Sequence, residues 1–253
     1  MKSPIESKPL RNPRESLDRQ LQTVIDDKVL SYYLVAVFCI ALAALEWYRW
    51  VFNTPPYPWM MSFVAVVALV IMVIKFRKGI RKVKCIKLGL QGEKEVGQLL
   101  EQLREMGAKV FHDIPGHNFN LDHVVIHSTG IYVIETKTLS KPDRGEAKLV
   151  FDGQSITKFG KALDRDPITQ VTAGSDWFKV LLKDSTGKDF RTMPVVLFPG
   201  WYIERTRETR SDDFWVLNPK TLPKFISNAQ AKLSPEDVKL ISFHLDRYIR
   251  SVK

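Results

Sequence analysis

Two unbroken apolar runs, residues 32–45 (YYLVAVFCIALAAL) and 59–74 (WMMSFVAVVALVIMVI), stand on either side of the turn segment Asn53-Thr-Pro-Pro-Tyr-Pro58. Neither run has the polar stripe that a surface helix of a globular protein carries. With flanking aromatics, each approaches the ~20 residues needed to cross ~30 Å of hydrocarbon. The expectation is a transmembrane helix hairpin over residues 31–74, with helices at about 31–52 and 57–74. The alternative is a buried hairpin in the core of a soluble protein. Trp47, Tyr48, Trp50 and Phe52 read as an interfacial aromatic belt. Glu46 and Arg49, three apart on a helix, are placed to pair near the membrane surface.

The basic residues supply an orientation. Lys75, Arg77, Lys78, Arg81, Lys82 and Lys84 follow the second run, whereas the 53–58 turn has no Lys or Arg. The positive-inside rule then predicts a two-span protein of a cell membrane, a bacterial inner membrane by preference, with both termini cytoplasmic. The basic segment, residues 75–87, reads as a juxtamembrane linker that meets anionic lipid headgroups or serves only as a stop-transfer flank. Residues 1–30 read as a polar tail with a short helix around 16–30. The first apolar run begins too late, after a charged lead, for a signal peptide.

The net charge of +10 is unevenly placed. Residues 1–88 hold 14 Lys and Arg against 6 Asp and Glu, and residues 89–253 hold 24 against 22. The excess therefore speaks first of membrane topology and only weakly of nucleic acid. The two cysteines, Cys39 and Cys85, form no Cys-x-x-Cys, which excludes a zinc ribbon and gives no disulfide framework.

From Leu88 the pattern is that of a soluble α/β domain, residues 88–253, with C-terminal helices. Val96, Leu99, Leu100 and Leu103 at helical spacing predict a helix over 89–106, ended by Gly107. Strands are predicted at 110–114, 121–127 and 131–137, the last two a hairpin around Ser128-Thr129-Gly130. Further strands are read at 148–152 and 154–159 around Asp152-Gly153, then at 194–198 and 214–217. Helices are predicted at 167–182 and after Ser234-Pro-Glu-Asp237, an N-cap with proline at the first helical position.

The hairpin carries the chemistry. Side chains alternate along a strand, so Glu135 and Lys137 share a face. A two-residue turn at Ser128-Thr129 pairs His127 with Gly130, and hence Asp122 with Glu135 on that same face. Two neighbouring carboxylates need a shared proton or a cation, and oxygen ligands suit a hard divalent ion such as Mg²⁺ or Mn²⁺. Lys137 beside them would assist deprotonation of water or stabilise charge on a phosphate. The competing reading is a self-satisfied Glu135–Lys137 ion pair. His123 and His127 have the opposite parity to Asp122 and point away from it. They, with His112 and His117, are read as structural or surface residues. Trp177, Trp201 and Trp215 are read as core or interface, with base stacking as the alternative role. Lys158, Lys161 and Arg165 are weak candidates for phosphate contact against a plain solvated face.

Gly92-Glu93, Leu121-Asp122-His-Val-Val-Ile, Gly130-Ile-Tyr-Val-Ile-Glu-Thr-Lys137 and Asp166-Pro-Ile-Thr-Gln170, in that order, resemble the nuclease-related (NERD) domain, a family similar to the PD-(D/E)XK nucleases. The resemblance covers roughly residues 86–200. It implies a restriction-endonuclease-like α/β fold, with a mixed central sheet flanked by helices, here preceded by the two transmembrane helices. It implies Asp122 and Glu135 as metal-binding and catalytic acids, Lys137 as the catalytic lysine, Glu93 as a further acid at the metal and Gln170 as a supporting glutamine. Residues 139–147 are longer and more polar than a minimal loop. The expected function is a membrane-anchored, divalent-metal-dependent nuclease acting on DNA or RNA on the cytoplasmic side. The rival is a catalytically weak nucleic-acid-binding or scaffold module at the membrane.

Overall fold

The computed structural model describes residues 31–52, 58–142, 145–163, 165–206 and 213–252. The polar tail, the 53–57 part of the turn and the Lys82 side chain lie outside the described residues. The chain divides into two compact units, with the boundary between Lys87 and Leu88.

In the first unit, α1 spans Ser31–Val51 and the second apolar run opens α2, Pro58–Gln102. Trp47 Nε1 donates to Ser62 Oγ at 3.0 Å, and the Trp47 and Trp59 rings lie 6.3 Å apart, so the two helices are neighbours there. Arg49 and Glu46 pair at 3.4 Å. Large apolar side chains such as Phe38, Trp59, Phe63 and Val66 are more than half exposed. Among the described residues one segment, Tyr33–Val51, is long and apolar enough to cross a membrane by length and composition. The expectation of a second helix ending at residue 74, followed by a linker, is corrected. Residues 75–87 continue the helix, because Lys and Arg are good helix formers and no proline interrupts them.

The second unit is built on a five-stranded sheet of order β1-β2-β3-β7-β9, comprising Lys109–Pro115, Asn120–His127, Gly130–Thr136, Thr192–Leu197 and Trp215–Leu217. The first three strands are antiparallel, and β7 and β9 join in parallel. Alternation divides the side chains between two covered faces. Val124, Ile126, Ile131, Val133 and Val196 pack against α3 (Pro167–Thr186) and α5 (Pro235–Ser251). Val125, Tyr132, Ile134, Val195 and Leu197 pack against Val96 and Leu100 of α2, Leu103 just after it, and α4 (Leu222–Asn228). Strands covered on both faces read as continuous apolar runs, as residues 131–134 do. Each such aliphatic side chain contributes about 1.5–3 kcal/mol by leaving water.

A second, smaller sheet has the order β6-β5-β4-β8. Its strands are Lys161–Ala162, Ile156–Lys158, Lys148–Phe151 and Tyr202–Arg205. The strand read over 154–159 is shorter, because the chain turns back at Phe159-Gly160 to make β6. The helices begin and end where their caps dictate. Asp166 accepts from the Ile168 and Thr169 amides at the start of α3, Gly187 closes it at φ 71, and Ser234 accepts from the Asp237 amide to start α5.

Candidate active site

The two-residue turn at Ser128-Thr129 fixes the register His127↔Gly130, and the ladder continues through Val124↔Val133 to His123↔Ile134. One step further, backbone pairing gives way to a side-chain bond: the Thr136 amide donates to Asp122 Oδ2 at 2.7 Å. Asp122 thus stands beside the end of β3, where Glu135 and Lys137 emerge. Lys137 Nζ donates to Glu135 Oε1 at 3.0 Å and to Gln170 Oε1 at 2.8 Å, and Gln170 Nε2 donates to the same Glu135 oxygen at 2.7 Å. Gln170 reaches down from the first turn of α3, which Pro167 and the Asp166 cap position. Glu135, Lys137 and Gln170 form a closed triangle of hydrogen bonds. Asp122 Oδ1 and Glu135 Oε2 make no hydrogen bond among the described residues.

Glu93 approaches from α2. The residue before it is glycine for a packing reason: a Cβ on Gly92 would lie 1.7 Å from Thr138 Oγ1. Only glycine lets the helix backbone come this close to the segment leaving β3. The close approach brings the negative charge of Glu93 within electrostatic range of Asp122.

The charges are unbalanced. Burial pushes the Asp122 carboxyl well above the usual range, and repulsion from Glu135 and then Glu93 adds to this; the Thr136 amide and Lys137 only partly oppose it. Burial also raises Glu135, against the pull of Lys137 and Gln170. Among the described residues, Lys137 is the cation that faces the Asp122 and Glu135 carboxyls. A divalent cation would balance them, and the donor set of carboxylate oxygens fits Mg²⁺ or Mn²⁺. Among the described residues, however, no three His, Cys, Asp or Glu side chains stand as a ready metal cage. Asp122 and Glu135 are the carboxylates that this arrangement sets close enough to repel each other, and Glu93 lies within electrostatic range of Asp122. A cavity of about 240 Å³ lies beside Glu135, lined also by Gln170, Phe119, Leu121, Val171 and Gly174.

The other face holds an arrangement that the sequence did not disclose. His112 and His123 are register partners on β1 and β2, and their Nδ1 atoms lie 2.8 Å apart. His112 Nε2 bonds Glu101 Oε1 at 2.8 Å, and Arg104 pairs with Glu101 at 2.6 Å. Burial, with His112 adding to it, holds His123 well below the usual imidazole value, so the ring is neutral. His123 Nε2, Thr136 Oγ1 and Thr138 Oγ1 are buried without a hydrogen-bond partner among the described residues, a setting for ordered water. The parity reading of His123 as facing away from Asp122 agrees with this. Its pairing with His112 was hidden because the 116–119 connection gives no register signal. His117 is exposed, and His127 bonds Thr129 Oγ1 at 2.8 Å.

Lys158 and Lys161 lie on the β5–β6 hairpin and Arg165 follows it, so none joins the acid cluster. Trp201 is fully buried, and Trp177 and Trp215 are partly buried against the two cores. No curated protein and no solved structure matches the chain. The model of the nuclease-related domain (NERD) matches residues 88–199, a stretch that contains Glu93, Asp122, Glu135, Lys137 and Gln170, and this part of the chain is similar to that family.

Proposed function

We propose that the chain is a divalent-metal-dependent nuclease held at a membrane by its N-terminal apolar segment, with both termini cytoplasmic. The observation that carries the reading is the convergence of Asp122, Glu135, Lys137 and Gln170 at the end of one strand, with Glu93 in electrostatic reach, inside the stretch that matches a nuclease-related domain. Asp122 and Glu135 would hold Mg²⁺ or Mn²⁺, which would supply Lewis-acid polarisation of a phosphodiester and of water. Gln170 holds Lys137 and Glu135 in one geometry, so the ammonium is pre-oriented. Lys137 then donates toward the charge that develops on the phosphate oxygens, where fixed donors act most strongly. Anchoring is supported by the exposed apolar side chains of the first unit and by the basic residues from Lys75 to Lys84.

A second reading, a nucleic-acid-binding module without cleavage, is favoured by the closed Glu135–Lys137–Gln170 triangle, in which the lysine is already satisfied. The test is cleavage of labelled single- and double-stranded DNA and RNA by the full-length protein with Mg²⁺, Mn²⁺ or EDTA. Cleavage should need the metal. Lys137→Ala should lower it on the order of 100-fold or more while Mn²⁺ still binds, and Asp122→Ala should lose both. Absence of cleavage and of Mn²⁺ binding in the wild type would replace the enzyme by the binding module.

A further inference from the structure

The β5–β6 hairpin makes its turn in an unfavourable way. Lys158 and Lys161 face each other across it, and the two turn residues are Phe159 at φ 51 and Gly160 at φ 75. This is the left-handed, primed type of two-residue hairpin turn, whose first position belongs to Asn, Asp or Gly. A phenylalanine there is strained by its backbone, and its ring is 61% exposed. Neither local propensity nor core packing explains the choice. Non-glycine residues in this region persist where the surroundings hold them and where the strain serves a function.

The surroundings do hold it, and they tie it to the candidate site. Lys158 Nζ donates to Ser140 O at 2.9 Å and lies 4.9 Å from the ring centroid of buried Trp201. Trp201 Nε1 donates to Leu139 O at 3.2 Å, and its ring lies 6.3 Å from that of Phe159. Leu139 and Ser140 directly continue the segment that carries Lys137. Three residues of extended chain span at most about 11 Å, which is about three nucleotides at the ~3.4 Å rise of a stacked strand. On its other side, β6 leads to Asp166, the cap of the helix whose first turn presents Gln170. The tip of the hairpin is therefore tied to Ser140, three residues beyond Lys137, and its second strand leads to the helix of Gln170; Lys161 at the tip and Arg165 after β6 are both exposed.

We infer that Phe159 is a stacking platform for an unpaired base of the nucleic-acid strand whose phosphate lies at Lys137, with Lys158, Lys161 and Arg165 meeting neighbouring phosphates, so that the substrate is single-stranded or locally unpaired at the site. This rests on the nuclease-related reading above. An aromatic ring can stack only on a base face that is free, which a base inside a duplex does not offer. The ring accepts any base, and the lysines on either side supply the sequence-independent attraction to phosphate.

The test uses the full-length protein in nanodiscs of zwitterionic lipid, with EDTA present so that binding is read apart from cleavage. The probe is a single-stranded oligonucleotide containing 2-aminopurine, whose fluorescence falls on stacking, with its duplex as comparison. Phe159→Asn is the informative variant, because asparagine suits the turn and should unfold at the same temperature as the wild type or higher. It should weaken single-strand affinity on the order of ten-fold or more and abolish the quench, whereas Phe159→Trp should keep both. Single strand should bind more tightly than duplex. Binding that is unchanged in Phe159→Asn, or duplex bound as well as single strand, overturns the platform and leaves the nuclease reading intact. No binding of either nucleic acid by the wild type removes both. The same protein is also sedimented with sucrose-loaded vesicles of anionic phospholipid. Loss of vesicle binding in Phe159→Asn with nucleic-acid binding unchanged would assign the hairpin tip to a lipid surface and overturn the proposal.

Discussion

The two faces of the central sheet both bury titratable groups, and they do so to opposite effect. On one face Asp122 and Glu135 are held as close carboxylates whose charged forms burial disfavours, next to an exposed Gln170 and a Lys137 side chain that is 25% exposed. On the other, His112 and His123 are 2% and 0% exposed, bonded to each other, with Glu101 and Arg104 completing the chain. A neutral imidazole with a partner is inexpensive to bury, whereas an anion facing another anion is not. Burial of polar groups therefore does not distinguish a site from a core. What sets the carboxylate face apart here is two like charges in repulsion beside a partly exposed lysine, the pattern of a candidate site.

The largest effect is expected from His123→Ala. If this face is structural, the variant loses about 2–4 kcal/mol of unfolding free energy, from the cavity and from the unpaired Nδ1 of His112, while Mn²⁺ affinity stays as in the wild type. Chemical denaturation and metal titration on the same samples read both. Unchanged stability with lost Mn²⁺ affinity would move the histidine pair into the site.

Metal should act on the carboxylate face alone. At a free concentration a hundred times its Kd, a cation that binds only the folded state adds about 2.7 kcal/mol. Mn²⁺ should thus raise the unfolding midpoint of the wild type and not that of Asp122→Asn. Without metal, Asp122→Asn should be the more stable protein, by on the order of 1 kcal/mol, since it removes a buried charge and keeps an oxygen for the Thr136 amide. A destabilised Asp122→Asn would mean that the carboxylate is a structural partner after all.

The smallest effect is a matter of sign. His123 is held below its unfolded value of 6.5, so its contribution is complete above that pH and is lost as the pH falls below it. Asp122 and Glu135 are raised above 3.8 and 4.5, so theirs is complete below those values and is lost as the pH rises through the folded ones. Each limb has a slope of at most ~1.4 kcal/mol per pH unit per group. Urea midpoints should show a loss of stability below pH 6.5 that is smaller in His123→Ala, on top of the acid limb of Glu101, Asp152, Asp166 and Asp237, and an alkaline limb that flattens in Asp122→Asn. The same pH profile in both variants would contradict the division between the faces.

Much of this was legible in the residues. Period-two alternation put Asp122 and Glu135 on one face as soon as the two-residue turn was granted, and the alternation put His123 on the other. The Ser234 cap, the Pro167 start of α3 and the apolar strand 131–134 were local signals, and local signals survive without knowledge of the fold. The apolar runs were equally plain, although their lengths did not reveal that α2 continues without a break to Gln102.

Every register or approach between segments distant in sequence was set by packing across the whole domain. The pairing of His112 with His123 needs the β1–β2 register, which no turn residue announces. The triangle of Glu135, Lys137 and Gln170 joins residues 35 positions apart through the seating of α3 on the sheet. The contact of Gly92 with Thr138 depends on how closely α2 meets the end of β3. The small sheet depends on β8, a strand from residues 202–205, pairing with β4 more than 50 residues earlier. Alternation and capping act over a few residues and can be read from a string. Long-range pairings are selected by the summed burial of whole surfaces, and no short window of sequence contains that sum.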